Sequence, residues 1–429
     1  MLLRWVNHAS FVVEDERSGV KLICDPWLAG PAFDRGWDLL AESVFETRDF
    51  AEITHIWYSH EHPDHFVPRV LQDIDEARRP QITVLYQKTR DGKVAKFCKS
   101  LGYAVRELGD GERVELGREF HVTCGVVPFY DSWLLIEAGG KRVLNLNDCV
   151  VDRDAVAARI AKEIGGGPVD VLLSQFNDAE WKGNPDQRAL REASASEKLR
   201  RLQLQTKLLK PAHTIPFASF FYFSHDENFY LNDAMNRVGD VARFLDEDCG
   251  TRAVVLYPGD TWEPGAPHDN AAACKRYDDD VANARPIQHA GESKSIDDLV
   301  RIATSYRNRI KKQNNAFLLN IAGRLLPKLR VYLEDHDTVV QFDWRDGLTR
   351  VSVPKQDADI AMHSESLAFV LRFDWGMDTL TVNGRLRASQ AGYQRFVKTF
   401  APGSLNNIGR RLGFELIADP PFLRRMLSM

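Results

Sequence analysis

Short apolar runs bounded by turn residues crowd the first half of the chain: Ser10–Glu14, Val20–Cys24, Thr54–Ser59, Ile82–Tyr86, Phe120–Val127, Trp133–Glu137, Arg142–Asn147 and Val169–Ser174. Their length and alternation predict strands, and Gly139-Gly140 signals a hairpin between two of them. The spacing turns helical over Val67–Ala77, Asp152–Ile164 and the basic stretch Glu192–Leu209. Many strands packed early, with helices among them, suit two helix-covered sheets better than a simple βαβ repeat. That is an α/β fold, and no internal repeat or low-complexity tract interrupts it.

A run of Pro, Gly, Asp, Asn and Ala beginning at Pro264-Gly265-Ala266-Pro267 marks a boundary. Beyond it Ile296–Lys312 reads as a helix, and Leu329–Glu334, Thr338–Asp343 and Thr349–Val353 as strands. Ser364–Phe373 is helix-like, and Thr379–Val382 reads as a final strand. The expected organisation is a metal-binding catalytic domain over 1–265, a linker and helical segment over 266–328, and an α+β module over 329–429. A length of 429 residues exceeds what one core usually serves, which agrees with more than one domain.

Composition narrows the class. A net charge of −5 provides no basic footprint for nucleic acid, so no nucleic-acid partner is expected. No window is long and apolar enough for a membrane span. The opening Met1-Leu2-Leu3-Arg4-Trp5 enters a strand-like pattern at once, without a signal-peptide core. Six cysteines without CxxC spacing argue against a disulfide framework or a four-cysteine zinc site, and fit a cytoplasmic protein.

The chemistry gathers at Ser59-His60-Glu61-His62-Pro63-Asp64-His65. In an extended segment residues i and i+2 share a face, so His60 and His62 can grip one cation. Asp64 and His65, past the bend, can turn to a second, and Pro63 holds His62 extended. Four potential ligands within six positions point to a dinuclear metal site.

His8-Ala9-Ser10, Asp25-Pro26-Trp27 and the His60–His65 cluster together resemble the metallo-β-lactamase superfamily. The thirteen residues Asp25–Trp37, then Val143–Cys149, then Pro216–Phe221 with Ser224-His225, resemble its CMP-N-acetylneuraminate hydroxylase branch in the same order and at similar spacing. The resemblance covers at least residues 1–262. It implies a four-layer αββα sandwich with a C-terminal α+β appendage, and two divalent metal ions, with iron favoured and zinc or manganese as alternatives.

Two departures matter. That branch carries a Rieske iron–sulfur domain, yet none of the six cysteines is followed by histidine at Rieske spacing, so oxidative chemistry would need a separate redox partner. The superfamily also places a third histidine on the first metal before Trp133–Glu137, where this chain reads Val127-Pro128-Phe129-Tyr130-Asp131. Asp131 is the nearest replacement, and a carboxylate there suits iron or manganese better than zinc.

The same resemblance assigns Asp148 as the carboxylate bridging two metals, and offers either His213 or His225 for the last ligand or a substrate contact. Asp25 and Trp27 are expected at the mouth of the site, and His8 as a support. Asn177, Asp178, Trp181 and Lys182 are candidate substrate contacts. His55 reads as structural, and His121, His268, His289, His336 and His363 as ordinary surface or core residues. The distal segment faintly resembles a sterol-carrier-type module, with a cap as the alternative. Two functions follow from the resemblance: an O2-dependent diiron hydroxylase of a polar small molecule, of amino-sugar or nucleotide-sugar type, or a metal-dependent hydrolase of a phosphoester, amide or lactone.

Overall fold

The structure, a computed structural model, describes residues 1–127, 131–288 and 291–413. His289, residues 128–130 of the segment searched for a third histidine, and residues 414–429 of the C-terminal module lie outside the described residues. The chain forms two compact units. One takes Met1–Ala179, Arg191–Tyr222 and Asn232–Arg285; the other takes Glu180–Leu190, Phe223–Leu231 and the chain from Pro286 onward.

In the first unit, β1 (Leu2–Asn7), β2 (Ser10–Asp15), β3 (Val20–Cys24), β4 (His55–Tyr58), β5 (Thr83–Gln87) and β6 (Ala104–Leu108) lie side by side in that order. They pair antiparallel as far as β3 and parallel beyond it. A second sheet repeats this logic with β7 (Glu112–Gly117), β8 (Phe120–Val126), β9 (Ser132–Ala138), β10 (Lys141–Asn147), β11 (Val171–Gln175), β12 (His213–Phe217) and β13 (Arg252–Ala253). It is antiparallel through β10 and parallel afterwards. The short β14 (Thr261–Trp262) returns to the first sheet beside β1.

Alternation along the strands builds the layers. Trp5, Phe11, Val13, Leu22, Trp57 and Leu85 of the first sheet share a buried cluster with Val122, Leu134, Ile136, Val143, Leu173 and Ile215 of the second. The opposite face of the first sheet, with Val12, Ile23, Ile56 and Val84, packs on α1 (Pro68–Asp73) and α2 (Lys93–Ser100) through Val70, Leu71, Val94 and Cys98. The opposite face of the second, with Leu135, Leu144 and Leu172, packs on α3 (Asp154–Glu163) and on Leu209 of α4 (Arg188–Leu209). This is the four-layer αββα sandwich expected. The helix α1 stops short of the predicted Ala77 because Ile74 turns to extended backbone (ψ 136°). Two further helices, α5 (Val238–Asp248) and α6 (Ala271–Asn283), also belong to the unit.

Four strand-end reversals share an unusual backbone. His8, Asp25, Asn147 and Ala218 all have positive φ, between 37° and 46°. Non-glycine residues seldom adopt it, and such strain concentrates where function over-determines the chain. Each follows a strand, namely β1, β3, β10 and β12, Asn147 being the last residue of its own.

The second unit holds a five-stranded sheet of β15 (Leu329–Leu333), β16 (Thr338–Asp343), β17 (Gly347–Val351), β18 (Ile360–Met362) and β19 (Arg387–Ala388), in the order β17-β16-β15-β18-β19. Its helices are α7 (Ile296–Gln313), α8 (Ala316–Leu325), α9 (Ser364–Arg372), α10 (Gly376–Asn383) and α11 (Gln390–Asn407), an α+β arrangement. The rings of Phe342 and Phe400 stack 5.4 Å apart in its core, with Tyr306 against both. The strand expected at Thr379–Val382 is instead part of α10. A Cβ on Gly376 would come within 2.5 Å of the Phe369 carbonyl oxygen, so the bare glycine lets α10 start hard against α9. Gly384, with φ of 66°, then closes the helix as a left-handed cap. Packing overrode the β-branched preference of Thr381 and Val382.

Candidate metal centre

The cluster is built where β4 ends. Asp25, just past β3, accepts the backbone N–H of Ser59 at 2.7 Å on Oδ1 and the Ser59 hydroxyl at 2.7 Å on Oδ2. Its Oδ2 also stands 2.9 Å from Nδ1 of His65. A carboxylate at Nδ1 keeps the proton there and leaves Nε2 as a lone-pair donor. That Nε2 lies 3.4 Å from Oδ2 of Asp64 and 3.3 Å from Oδ2 of Asp148.

The second sheet is tied in through Ser132, whose hydroxyl donates to the Ser59 carbonyl at 2.6 Å. Asn147 in turn donates to the Ser132 carbonyl at 2.8 Å, which fixes the turn carrying Asp148. Gln175, closing β11, donates to Oδ1 of Asp148 at 3.2 Å, and Lys198 of α4 donates to the Gln175 side-chain oxygen. A chain of polar contacts therefore aims Asp148 from behind.

Nitrogen and oxygen atoms converge in two groups: His60, His65 and Asp148, and His8, Asp64 and His65, each with ligand atoms within 4.8 Å of one another. Nε2 of His60 and Nδ1 of His62 face each other at 2.9 Å, so at most one of them carries a hydrogen there. Nε2 of His65, Oδ1 of Asp64 and Nδ1 of His8 are buried and make no hydrogen bond. Buried polar atoms are normally satisfied, and Nε2 of His65, crowded by carboxylate oxygens of Asp64 and Asp148, is placed where a divalent cation would satisfy it. The residues present fit a metal pair.

Electrostatics point the same way. Burial opposes charge on His65, yet Asp64, Asp148 and Asp25 outweigh it and hold its pKa well above the usual value, so Nε2 would exchange a proton for a cation on binding metal. Burial keeps His60 and His62 neutral, with neighbouring histidines adding to the effect on His60. Burial, reinforced by Asp148, pushes Asp131 up to about 8. Carboxylates crowded this tightly need positive charge among them.

The expected ligands separate clearly by position. His60, His62, Asp64, His65 and Asp148 come together. Asp131 stands at the edge, with Oδ1 3.8 Å from Nδ1 of His60. His213 opens β12, the end opposite Phe217 and Ala218, and its ring lies against Trp262. Ala218, by contrast, donates its N–H to the His8 carbonyl at 3.1 Å. The four strand steps separating His213 from Phe217 span roughly 13 Å, so this placement does not favour His213 as a ligand. His225 belongs to the second unit, where Nδ1 lies 2.7 Å from Oδ1 of Asp226 and 3.7 Å from Glu227. Glu227 in turn pairs with the buried Arg385 at 2.7 Å.

Other expectations need correction. Asp25 and Trp27 do not line a mouth: both are buried, Asp25 behind His65 and Trp27 edge-on to His8 at 5.3 Å. Asn177 bridges to Asn236, and Trp181 stacks on Tyr393 at 4.8 Å, so both are tied into internal packing. His8, expected as a support, stands with Nε2 3.2 Å from Oδ2 of Asp64 and also belongs to one of the two groups of possible ligand atoms. The sequence does not reveal the roles of Ser59, Ser132 and Gln175, and Lys198, read as part of a basic helix face, turns to Gln175 instead. For Gln175 a signal existed: a polar residue ending an apolar parallel strand, at the edge where such sheets place their sites.

Comparison with known proteins agrees with the fold. A family model described as "Beta-lactamase superfamily domain" matches residues 2–174. Cytidine monophosphate-N-acetylneuraminic acid hydroxylase of Cricetulus griseus is 26% identical over 264 residues, covering 57% of this chain and 45% of its own length. The hydroxylase of Danio rerio is 25% identical over 306 residues, covering 66% of this chain and 48% of its own length. The chain thus spans less than half the length of these curated relatives. Among solved structures, a CmlA beta-hydroxylase mutant superposes with a TM-score of 0.44 at 19% identity, covering 61% of this chain and 53% of that one.

Proposed function

We propose that this chain, with its metallo-β-lactamase fold, is a dinuclear-metal enzyme that hydroxylates a polar small molecule with O2, drawing electrons from a separate donor. The observation that carries this reading is the donor set. Asp64, Asp148 and, at the edge, Asp131 set carboxylate oxygens beside His60, His62 and His65. Oxygen-rich sites favour iron or manganese over zinc. The similarity to cytidine monophosphate-N-acetylneuraminic acid hydroxylases supports the same chemistry, and suggests a nucleotide-activated amino sugar as substrate class.

His60 and His62 would hold one ion, Asp64 and His65 the other, with Asp148 between them. Bound as iron, the pair would supply the oxygen-binding and electron-relaying capacity that no side chain has, the electrons themselves coming from the donor. The remaining roles fall to the protein. Asp25 fixes the tautomer of His65, and Gln175 with Lys198 aims Asp148. Trp27 and Phe221 wall His8 on two sides, their rings 5.3 Å and 5.7 Å away. His8 would take the place held in expectation by His213, either as a metal ligand or through its 3.2 Å contact with Asp64.

The second reading, a metal-dependent hydrolase, rests on the two groups of ligand atoms lying side by side, an arrangement that equally suits activation of water between two cations. Metal analysis separates them. The protein purified without added metal should hold two irons per chain and absorb in the near ultraviolet, changing with reductant and O2. With a chemical or ferredoxin-type donor it should add one oxygen atom to a CMP-sialic acid-type probe, read by mass. Two tightly held zincs with hydrolysis of a generic phosphodiester would overturn the oxygenase.

A further inference from the structure

The second unit carries a surface that the metal chemistry does not use. Helix α8 is apolar on nearly every side, with the sequence Ala316-Phe317-Leu318-Leu319-Asn320-Ile321-Ala322-Gly323-Arg324-Leu325. Only Leu319 is buried; Phe317, Ile321 and Leu325 are 68%, 43% and 81% exposed. Spaced four apart, they form one stripe along the helix. Large apolar side chains exposed in a row mark an interaction site.

The charge around the stripe says what it meets. From Leu299 to Leu333 the chain contains eight Lys and Arg residues and no Asp or Glu, within a protein of net charge −5. Lys311 and Lys312 stand exposed before the helix, and Arg324 and Lys328 at its far end. Lys328 reaches Asp343 at 3.0 Å, whereas Lys311, Lys312 and Arg324 pair with no carboxylate among the described residues. Cationic charge at both ends of a short apolar helix fits a helix lying flat, its stripe in acyl chains and its ends among anionic headgroups. A second copy fits poorly, because a two-fold contact through α8 would bring these same cations against one another. No helix among the described residues is long and apolar enough to cross a membrane, so the contact would be peripheral.

We propose that α8, flanked by Lys311, Lys312, Arg324 and Lys328, docks the protein reversibly on an anionic lipid surface. Vesicle sedimentation tests it with the full-length protein. Binding should appear with phosphatidylcholine vesicles containing phosphatidylglycerol, fall with added salt, and be weak or absent with phosphatidylcholine alone. Ile321→Asn with Leu325→Asn should weaken it by about tenfold or more, and Lys311→Glu with Lys312→Glu by roughly fivefold per residue. Metal content and circular dichroism of both variants should match the parent. No sedimentation with anionic vesicles overturns the proposal, as does binding that survives both variants. A dimer that dissociates on Ile321→Asn with Leu325→Asn, without vesicle binding by the parent, assigns the stripe to a second copy and also overturns it.

Discussion

Nδ1 of His65 faces Oδ2 of Asp25 at 2.9 Å, and the same carboxylate accepts both the N–H and the hydroxyl of Ser59. Asp25 is therefore the buried clamp behind a metal-binding imidazole. Replacing such a partner typically costs 10–100-fold in metal affinity. Asp25→Asn should keep the fold and lose metal to a chelator about that much more readily, as measured by competition with a chromophoric chelator. Unchanged retention would reduce the clamp to a structural hydrogen bond.

Asp148 and Gln175 should differ in kind. Asp148→Ala removes an oxygen from the group with His60 and His65 and should lose at least one metal per chain. Gln175→Ala removes only the 3.2 Å hydrogen bond that aims Asp148, so stoichiometry should hold while affinity falls by roughly tenfold. Elemental analysis after dialysis distinguishes the two outcomes. Equal loss in both would mean that Gln175 does more than orient.

Asp131 tests the oxygen-rich reading. Asp131→Ala should lower metal occupancy only if its carboxylate, 3.8 Å from His60 in this structure, closes on the metal when bound. Full occupancy in that variant would leave the preference for iron resting on Asp64 and Asp148 alone.

What could be read from the residues, and what could not, follows from range in the chain. His60, His62, Asp64 and His65 are contiguous, so spacing alone reveals their chemistry. Ser59 and Asp25 are 34 positions apart and meet only once β3 and β4 pair, and Ser132, 73 positions from Ser59, meets it only once the two sheets pack. His213 and Ala218 illustrate the converse: five positions separate them, yet a strand carries them to opposite ends. Local β preference also misled at Thr379–Val382, where a glycine at the start of the segment allowed a helix to pack too closely for a strand to compete.

His55 should shape acid stability. Burial lowers its pKa to about 4 in the folded protein, from an ordinary value of 6.5. The unfolded chain binds the extra proton between those values, so the contribution of His55 is full above pH 6.5 and lost as pH falls towards 4. The loss amounts to at most about 3 kcal/mol. His55→Gln should flatten stability across that window in denaturant titrations; a parallel pH profile would contradict this.

Asp378 acts in the opposite direction. Burial raises its pKa to about 6, despite hydrogen bonds from Asn407 and Ser404. The folded state holds the proton more tightly, so stability falls as pH rises from about 4 through 6 and stays lower above it. Asp378→Asn should raise the melting temperature at pH 7.5 and leave it nearly unchanged at pH 4. A gain of the same size at both values would show that charge is not the cause.

The path of the chain between its two compact units has a practical corollary for engineering and inheritance. Glu180–Leu190 and Phe223–Leu231 leave the first unit and are followed by a return to it, before the chain passes finally into the second at Pro286. No single cut divides the molecule. Stopping translation after the first unit would release a fragment still carrying Trp181, Phe223 and Leu231, buried here and stranded there without their neighbours. Deleting the second unit cleanly therefore takes two internal excisions besides the terminal one, and a protein shortened at residue 285 alone should aggregate, as read by its loss from the supernatant on centrifugation.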